Sequence, residues 1–308
     1  MLGLIASTDL STRVDVRLRE AGRSYATKRN SLGLTMEQPT NSPWIKDAVN
    51  YVVSRQNVDG GYTFCRGTDS NAQDTYLGLS ILQLLGSPFP NVKETVKWLS
   101  EFPCYSLQSH YYIVKSMKMF GCDLNVDLAE FLSHGSRMLY DANNVYVAVA
   151  SEFQTAFMIA ELVNMLGVDI DREKMARWLL AYRNVDGGFG VRVQSNLNST
   201  YHAVASLFNL SYPISSLKKT ASYVKSCETP LGGFTIVPNS SPPHMEHVYY
   251  GVSTLDLLVE HARYPERIAR FVLMCQQSNG GFARSEFGIS TFEDTFYAVN
   301  VLGKIGRL

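Results

Sequence analysis

The 308-residue chain has 28 Lys+Arg against 28 Asp+Glu, 45% hydrophobic and 18% charged residues, so it can bury a large core and carries no net charge. Without a basic stripe, nucleic acid is excluded as an expected partner. The cysteines Cys65, Cys104, Cys122, Cys227 and Cys275 form no CxxC pair and are odd in number, which points to reduced thiols rather than a disulfide framework. The apolar run Met1–Ala6 is short and lacks a basic leader, and no later run reaches membrane-spanning length, so a cytoplasmic location is expected.

In chain order, residues 1–40 form an N-terminal extension expected to pack on the domain that follows, with a charged helix over Thr12–Lys28 and a loop from Asn30. Residues 41–308 then repeat one unit. Pro43-Trp44-Ile45 opens a first helix, at a position where the first helical turn tolerates proline. A turn follows at Gln56-Asn57-Val58-Asp59-Gly60-Gly61-Tyr62, and recurs at Arg183–Phe189, Glu228–Phe234 and Gln276–Phe282. After each turn comes an acidic or polar helix start and an aromatic: Asp74-Thr75-Tyr76, Ser199-Thr200-Tyr201, His247-Val248-Tyr249 and Asp294-Thr295-Phe296. Two weaker copies, at Ser109-His110-Tyr111 and Glu152-Phe153-Gln154, keep the helix without the glycine pair. The starts at 74, 109, 152, 199, 247 and 294 lie 35, 43, 47, 48 and 47 residues apart, the length of a helical hairpin with its loop.

Between them, outer helices are expected near Asn91–Glu101, Asp127–Met138, Arg172–Tyr182, Ser215–Ser226 and Pro265–Cys275, with the mixed polar and apolar pattern of half-exposed helices. The helices from Tyr76, Thr200 and Thr295 are apolar nearly all round, as helices buried on both sides must be. Six inner and six outer helices make either an open superhelix or a closed ring. The inner aromatics favour the ring, so the expected fold is all-α: an α6/α6 barrel, or toroid, of helical hairpin repeats.

Gly-Gly-aromatic turns followed by Asp-Thr-aromatic helices resemble the repeats of the isoprenoid fold over roughly residues 43–308, the fold of protein prenyltransferase beta subunits and of squalene-hopene and class II terpene cyclases. The resemblance implies a lipid-binding cavity lined by Tyr76, Tyr112, Tyr201, His202, Tyr249, Tyr250, Phe296 and Tyr297. It also sets two chemical tests. The prenyltransferase zinc ligands, an Asp and a Cys on one inner helix and a His on the next, fall at His247, Tyr249 and Asp294. A thiolate and an imidazole are therefore replaced, zinc is disfavoured and no metal site is expected, although His244, Glu246 and His247 cluster after Pro242-Pro243. The basic residues that grip diphosphate in that family have no counterpart in Val237–Pro243, and Mg2+ enters only if a diphosphate is the substrate.

The proton-donating acid of the class II cyclases falls at Glu293, with Asp294 beside it and Thr291 where that motif has its first Asp. Burial and a neighbouring like charge would keep such a carboxyl protonated, and aromatic faces would stabilise a carbocation. Glu246 and His247, one repeat earlier, offer a second acid or a base. The same acids also serve as ordinary helix-start residues, and His202 as a core histidine.

Two readings follow from the resemblance. One is a terpene-cyclase-like or prenyltransferase-like enzyme acting on a small isoprenoid or its diphosphate by protonation-initiated cyclisation, without metal-thiolate chemistry. The other is a non-catalytic barrel that binds an apolar ligand or a protein partner. Peripheral membrane contact and a partner subunit remain open as further associations.

Overall fold

The computed structural model describes residues 42–122, 128–140 and 150–308, so the expected 1–40 extension lies outside the described residues. Among those described, twelve α-helices follow one another with no strand beyond isolated bridges. They pair as α1 (Pro43–Val53) with α2 (Ala72–Leu84), α3 (Val92–Glu101) with α4 (Leu107–Met119), and α5 (Ala129–Tyr140) with α6 (Ala150–Leu166). The remaining pairs are α7 (Arg172–Leu180) with α8 (Leu197–Asn209), α9 (Lys218–Ser226) with α10 (Met245–Leu257), and α11 (Pro265–Met274) with α12 (Phe292–Lys304). The even-numbered helices are the inner ones of the sequence pattern: Ser199–Leu207 of α8 are all buried, whereas α11 buries only Ile268, Ala269 and Val272.

Each inner helix begins two residues earlier than the sequence pattern suggests, so Asp74, Ser109, Glu152, Ser199, His247 and Asp294 all stand at the third helical position. Capping explains the offset. Asn71, Ser106, Asn196 and Thr291, three residues upstream, accept the backbone N–H of Asp74, Ser109, Ser199 and Asp294. Thr291 is thus the cap of α12, and α10 alone of these five has a cap residue, His244, that makes no such bond.

The threonine after the start residue locks the turn onto its helix. Thr75, Thr200 and Thr295 Oγ1 accept the backbone N–H of Tyr62, Phe189 and Phe282 at 3.0, 2.9 and 2.9 Å, satisfying donors that have no access to water. The rings of Tyr62, Phe189, Phe234 and Phe282 are fully buried. Tyr62 and Phe234 press on a glycine three positions further along the helix. A Cβ on Gly251 would meet the Phe234 ring at 2.4 Å, and one on Gly78 would meet the Tyr62 ring at 3.2 Å. In the two copies that have lost the glycine pair, this position holds the buried Ile113 and Ala156. Gly232, the first glycine of its pair, is required twice over: it has φ +107°, and a Cβ there would lie 2.5 Å from the Arg267 carbonyl oxygen of the next outer helix.

The chain divides into two compact units, Met1–Asn125 and Val126–Leu308. In the first, α2 packs on α4. In the second, α6, α8, α10 and α12 lie side by side in sequence order.

Candidate active site at the helix starts of the second unit

The start residues of adjacent inner helices bring four carboxyl- or imidazole-bearing positions together with a cluster of rings. On α12, Glu293 and Asp294 occupy the second and third positions; on α10, Glu246 and His247 do. One turn further on, the Tyr297 hydroxyl donates to Glu293 Oε1 at 2.9 Å and the Tyr250 hydroxyl to Glu246 Oε1 at 3.2 Å. The same i to i+4 register on α8 pairs Asn198 Oδ1 with His202 Nδ1 at 2.7 Å.

These rings stack across the three helices. Tyr201 lies parallel to Tyr250 with centroids 4.8 Å apart, and Tyr249 lies parallel to Tyr297 at 4.5 Å. Tyr249 also contacts Phe296 at 5.9 Å, and its hydroxyl is 3.1 Å from that of Tyr201. Six of the eight expected substrate-binding residues are therefore one cluster. Tyr201, His202, Tyr250 and Tyr297 are buried, leaving Tyr249 and Phe296 as its half-exposed members. Burial holds the phenols of Tyr201, Tyr250 and Tyr297 far above the ordinary tyrosine range, so they remain hydrogen-bond donors. The other two expected residues pair in the first unit: Tyr76 and Tyr112 have centroids 5.6 Å apart, and the Lys115 ammonium lies 4.7 Å over the Tyr76 ring.

Among the acids, Asp294 is the one whose pKa is pushed up, to about 6, chiefly by burial, with the neighbouring Glu293 and Glu246 charges adding to the rise. Thr291 opposes it: its hydroxyl donates to Asp294 Oδ2 at 2.9 Å and favours the charged form. Glu293 itself is exposed and Glu246 half-buried. Asp74, at the same helical position in α2, is also raised by burial, but its Oδ2 is already shared by the Asn71 amide at 2.8 Å and the Phe64 N–H at 3.1 Å. Its chemistry is spent on the turn.

His247 is buried with its Nδ1 unpartnered, and burial together with His244 and Arg284 lowers its pKa to about 4. It is therefore a neutral imidazole at neutral pH. His202 is likewise lowered to about 4 by burial and enclosed by Phe157, Tyr201 and Tyr250, the environment of a core histidine. Sequence reasoning passed over Arg284. Its guanidinium lies 3.2 Å from His244 Nδ1, and its charge acts on His244, His247 and Asp294 alike. Its place after the Gly280-Gly281-Phe282 turn was the available signal.

The three positions at which the resemblance would put zinc ligands hold His247, Tyr249 and Asp294. The Tyr249 phenol is engaged with Tyr201, the charges acting on His247 are those of His244 and Arg284, and among the described residues no group of three or more His, Cys, Asp or Glu could hold a metal. Of the cysteines, only Cys227 and Cys275 are buried, each pushed up to about 12 chiefly by burial; Cys65 is exposed and the other two half-buried, and none of the five is in a disulfide.

Paired helices with capped starts and a ring cluster between the inner helices define a helical-hairpin repeat protein of the α/α-barrel class. The model of the prenyltransferase alpha-alpha toroid domain matches residues 24–108 and 127–307, and the chain belongs to that family. Candida albicans protein geranylgeranyltransferase-I, solved in complex with GGPP, is similar at 15% identity with a TM-score of 0.66, over 86% of this chain and 92% of that one. The type II terpene cyclase MstE from Scytonema is similar too. One variant of it, solved with the substrate geranylgeranyl dihydroxybenzoate, gives 15% identity and a TM-score of 0.56 over 88% of this chain and 98% of that one. Another, solved with the product merosterolic acid A, gives 13% and 0.54 over 88% and 96%. At these identities the likeness is one of fold. No curated protein matches the sequence. No helix among the described residues is long and apolar enough to cross a membrane.

Proposed function

We propose that the protein is an enzyme that binds an isoprenoid against the ring cluster of α8, α10 and α12 and acts on it by acid–base chemistry at the starts of α10 and α12. The observation that carries this reading is Asp294: a carboxyl raised to about 6 on the edge of that cluster, beside two further acids. At neutral pH roughly a tenth of such a group is protonated, far more than of an ordinary aspartate. Asp294 is thus better placed than Glu293 to give up a proton, and Glu293 contributes the adjacent charge that keeps it. Proton transfer from Asp294 to a substrate π bond would leave a carboxylate and a carbocation, which the faces of Tyr249 and Phe296 can stabilise. Glu246 would accept the proton lost at the end.

A second reading is favoured by the Thr291–Asp294 bonds, which cap α12 as Asn71 and Asp74 cap α2. In that reading the acids are structural and the barrel binds an apolar ligand or partner without turnover. Incubation with farnesyl and geranylgeranyl diphosphates, with and without Mg2+, followed by extraction of products, separates the two. Turnover that falls at least about a hundredfold in Asp294→Asn supports the enzyme. Binding without product supports the second reading.

A further inference from the structure

The acids at the second positions of α10 and α12 are joined through buried phenols. In the other inner helices that position holds Gln73, Gln108, Ser151 or Asn198, none of which titrates near neutral pH. The neighbouring helices α10 and α12 instead carry an acid there with a tyrosine four residues on. One helical turn brings each pair into contact: Tyr250 donates to Glu246 Oε1 at 3.2 Å and Tyr297 to Glu293 Oε1 at 2.9 Å. The two tyrosine rings meet edge to face with centroids 6.0 Å apart, and their hydroxyls are hydrogen-bond partners of one another.

The groups around these phenols are engaged elsewhere. The Tyr201 and Tyr249 hydroxyls pair with each other at 3.1 Å, and His202, edge-on to Tyr250 at 5.2 Å, is held by Asn198 and is uncharged at neutral pH. Tyr250 is 5% exposed and Tyr297 9%, while Glu246 is half-buried and Glu293 exposed. The series Glu246, Tyr250, Tyr297, Glu293 therefore runs from a half-buried carboxyl through buried phenols to a carboxyl in water. Asp294, on which the charges of both glutamates act, adjoins Glu293 at the outer end.

We infer that this series is a proton path, by which a proton taken up by Glu246 reaches water at Glu293 while a ligand covers the ring cluster. It rests on the reading that Glu246 accepts the proton lost in the reaction. An ionised carboxylate only accepts hydrogen bonds, so at rest each phenol donates to its own glutamate. A protonated Glu246 donates instead, which turns the Tyr250 hydroxyl towards Tyr297. The Glu246 proton then passes to Tyr250, that of Tyr250 to Tyr297, and that of Tyr297 to Glu293. Three O–H bonds break and three form; Glu246 ends as a carboxylate, and Glu293 releases the proton to water. Burial holds both phenols far above the ordinary tyrosine range, so the protons move together and no phenolate stands between. Tyr250 and Tyr297 are positioning residues here, acting through the glutamates.

Two measurements test the path, and the first needs no substrate. Removing one glutamate frees its phenol to donate to the other phenol, so the effect reaches the second glutamate. Urea unfolding of the wild type, Glu246→Gln, Glu293→Gln and the double variant reads this coupling, and the same cycle is run in a Tyr297→Phe background. A coupling of at least about threefold in the unfolding equilibrium constant is expected with Tyr297 in place, and its loss in the Tyr297→Phe background. Equal coupling in both backgrounds means that the acids act on each other directly, and overturns the inference. The second measurement is turnover of geranylgeranyl diphosphate by Tyr250→Phe and Tyr297→Phe. Their kcat should fall at least about tenfold with a smaller change in kcat/KM, and added imidazole should restore it in proportion to concentration, because a small buffer carries the proton that the path no longer does. A loss that imidazole does not restore assigns the hydroxyls to ligand binding and overturns the path. Absence of product from the wild type refutes the enzyme reading instead, and the unfolding cycle still decides the path.

Discussion

Asp294→Asn isolates the carboxyl on which the site rests, because the amide oxygen can still accept the Thr291 hydroxyl while the titration disappears. The folded-state pKa of about 6 stands roughly two units above the ordinary value of 3.8. The folded protein therefore holds this proton more tightly than the unfolded chain. Stability from this group is fully present below about pH 4 and is lost as the pH rises through about 6. Two units correspond to about 3 kcal/mol at 1.36 kcal/mol per unit, an upper figure because a half-buried side chain can relax towards water. Urea unfolding of wild type and variant at intervals from pH 4.5 to 8 reads the difference directly. The variant should gain on the wild type by about 1–3 kcal/mol across that range, most of it between pH 4.5 and 6.5. A difference independent of pH, or one that grows towards acid, would refute the reasoning that burial disfavours the Asp294 charge.

Three further outcomes follow from the same structure. His202, lowered from 6.5 to about 4, gives stability that is present above pH 6.5 and lost on acidification; His202→Gln should remove up to about 3 kcal/mol of acid-side slope, read by the same titration. Gly232→Ala combines a left-handed φ with a collision against Arg267 and should destabilise by at least about 2 kcal/mol in thermal unfolding; a neutral effect would show that the turn adapts freely. Gly251→Ala, pressed against Phe234, should cost about 1–3 kcal/mol through overpacking, whereas Gly86→Ala, with open space, loses only what its positive φ demands.

Much of this architecture was legible because it is local. The cap three residues before Asp294 and Thr295 act within one hairpin, and the glycine pair reaches only to the next outer helix, so their spacing repeats in the sequence and specifies turn, cap and helix together. The repeat count runs from the third helical position because the residues that recur, Asp74 and Asp294 among them, stand there, while the caps Asn71 and Thr291 lie three residues upstream. The site was legible only as a set of residues. Which tyrosines are buried depends on how α8, α10 and α12 lie against one another, and those helices are more than thirty residues apart. The sequence assigned the acid role to Glu293, and the proposal moves it to Asp294 because the exposure of Glu293 and the partial burial of Asp294 are set by packing, which adjacent carboxylates in a string of letters do not reveal. Arg284 was missed because its place after the glycine turn marks only a loop position; its meaning comes from His244, forty residues away in the chain.

The central claim is that Asp294 supplies a proton to an isoprenoid held on the Tyr249 and Phe296 rings. The most direct measurement is product formation from geranylgeranyl diphosphate by the wild type, Asp294→Asn and Glu293→Gln, with ligand affinity measured in parallel by tyrosine fluorescence quenching. The account predicts product from the wild type, a loss of at least about a hundredfold in Asp294→Asn at unchanged affinity, and a smaller loss with a lowered pH optimum in Glu293→Gln, where the neighbouring charge that raises Asp294 is gone. Full turnover by Asp294→Asn, or tight binding with no product from any of the three proteins, would contradict it.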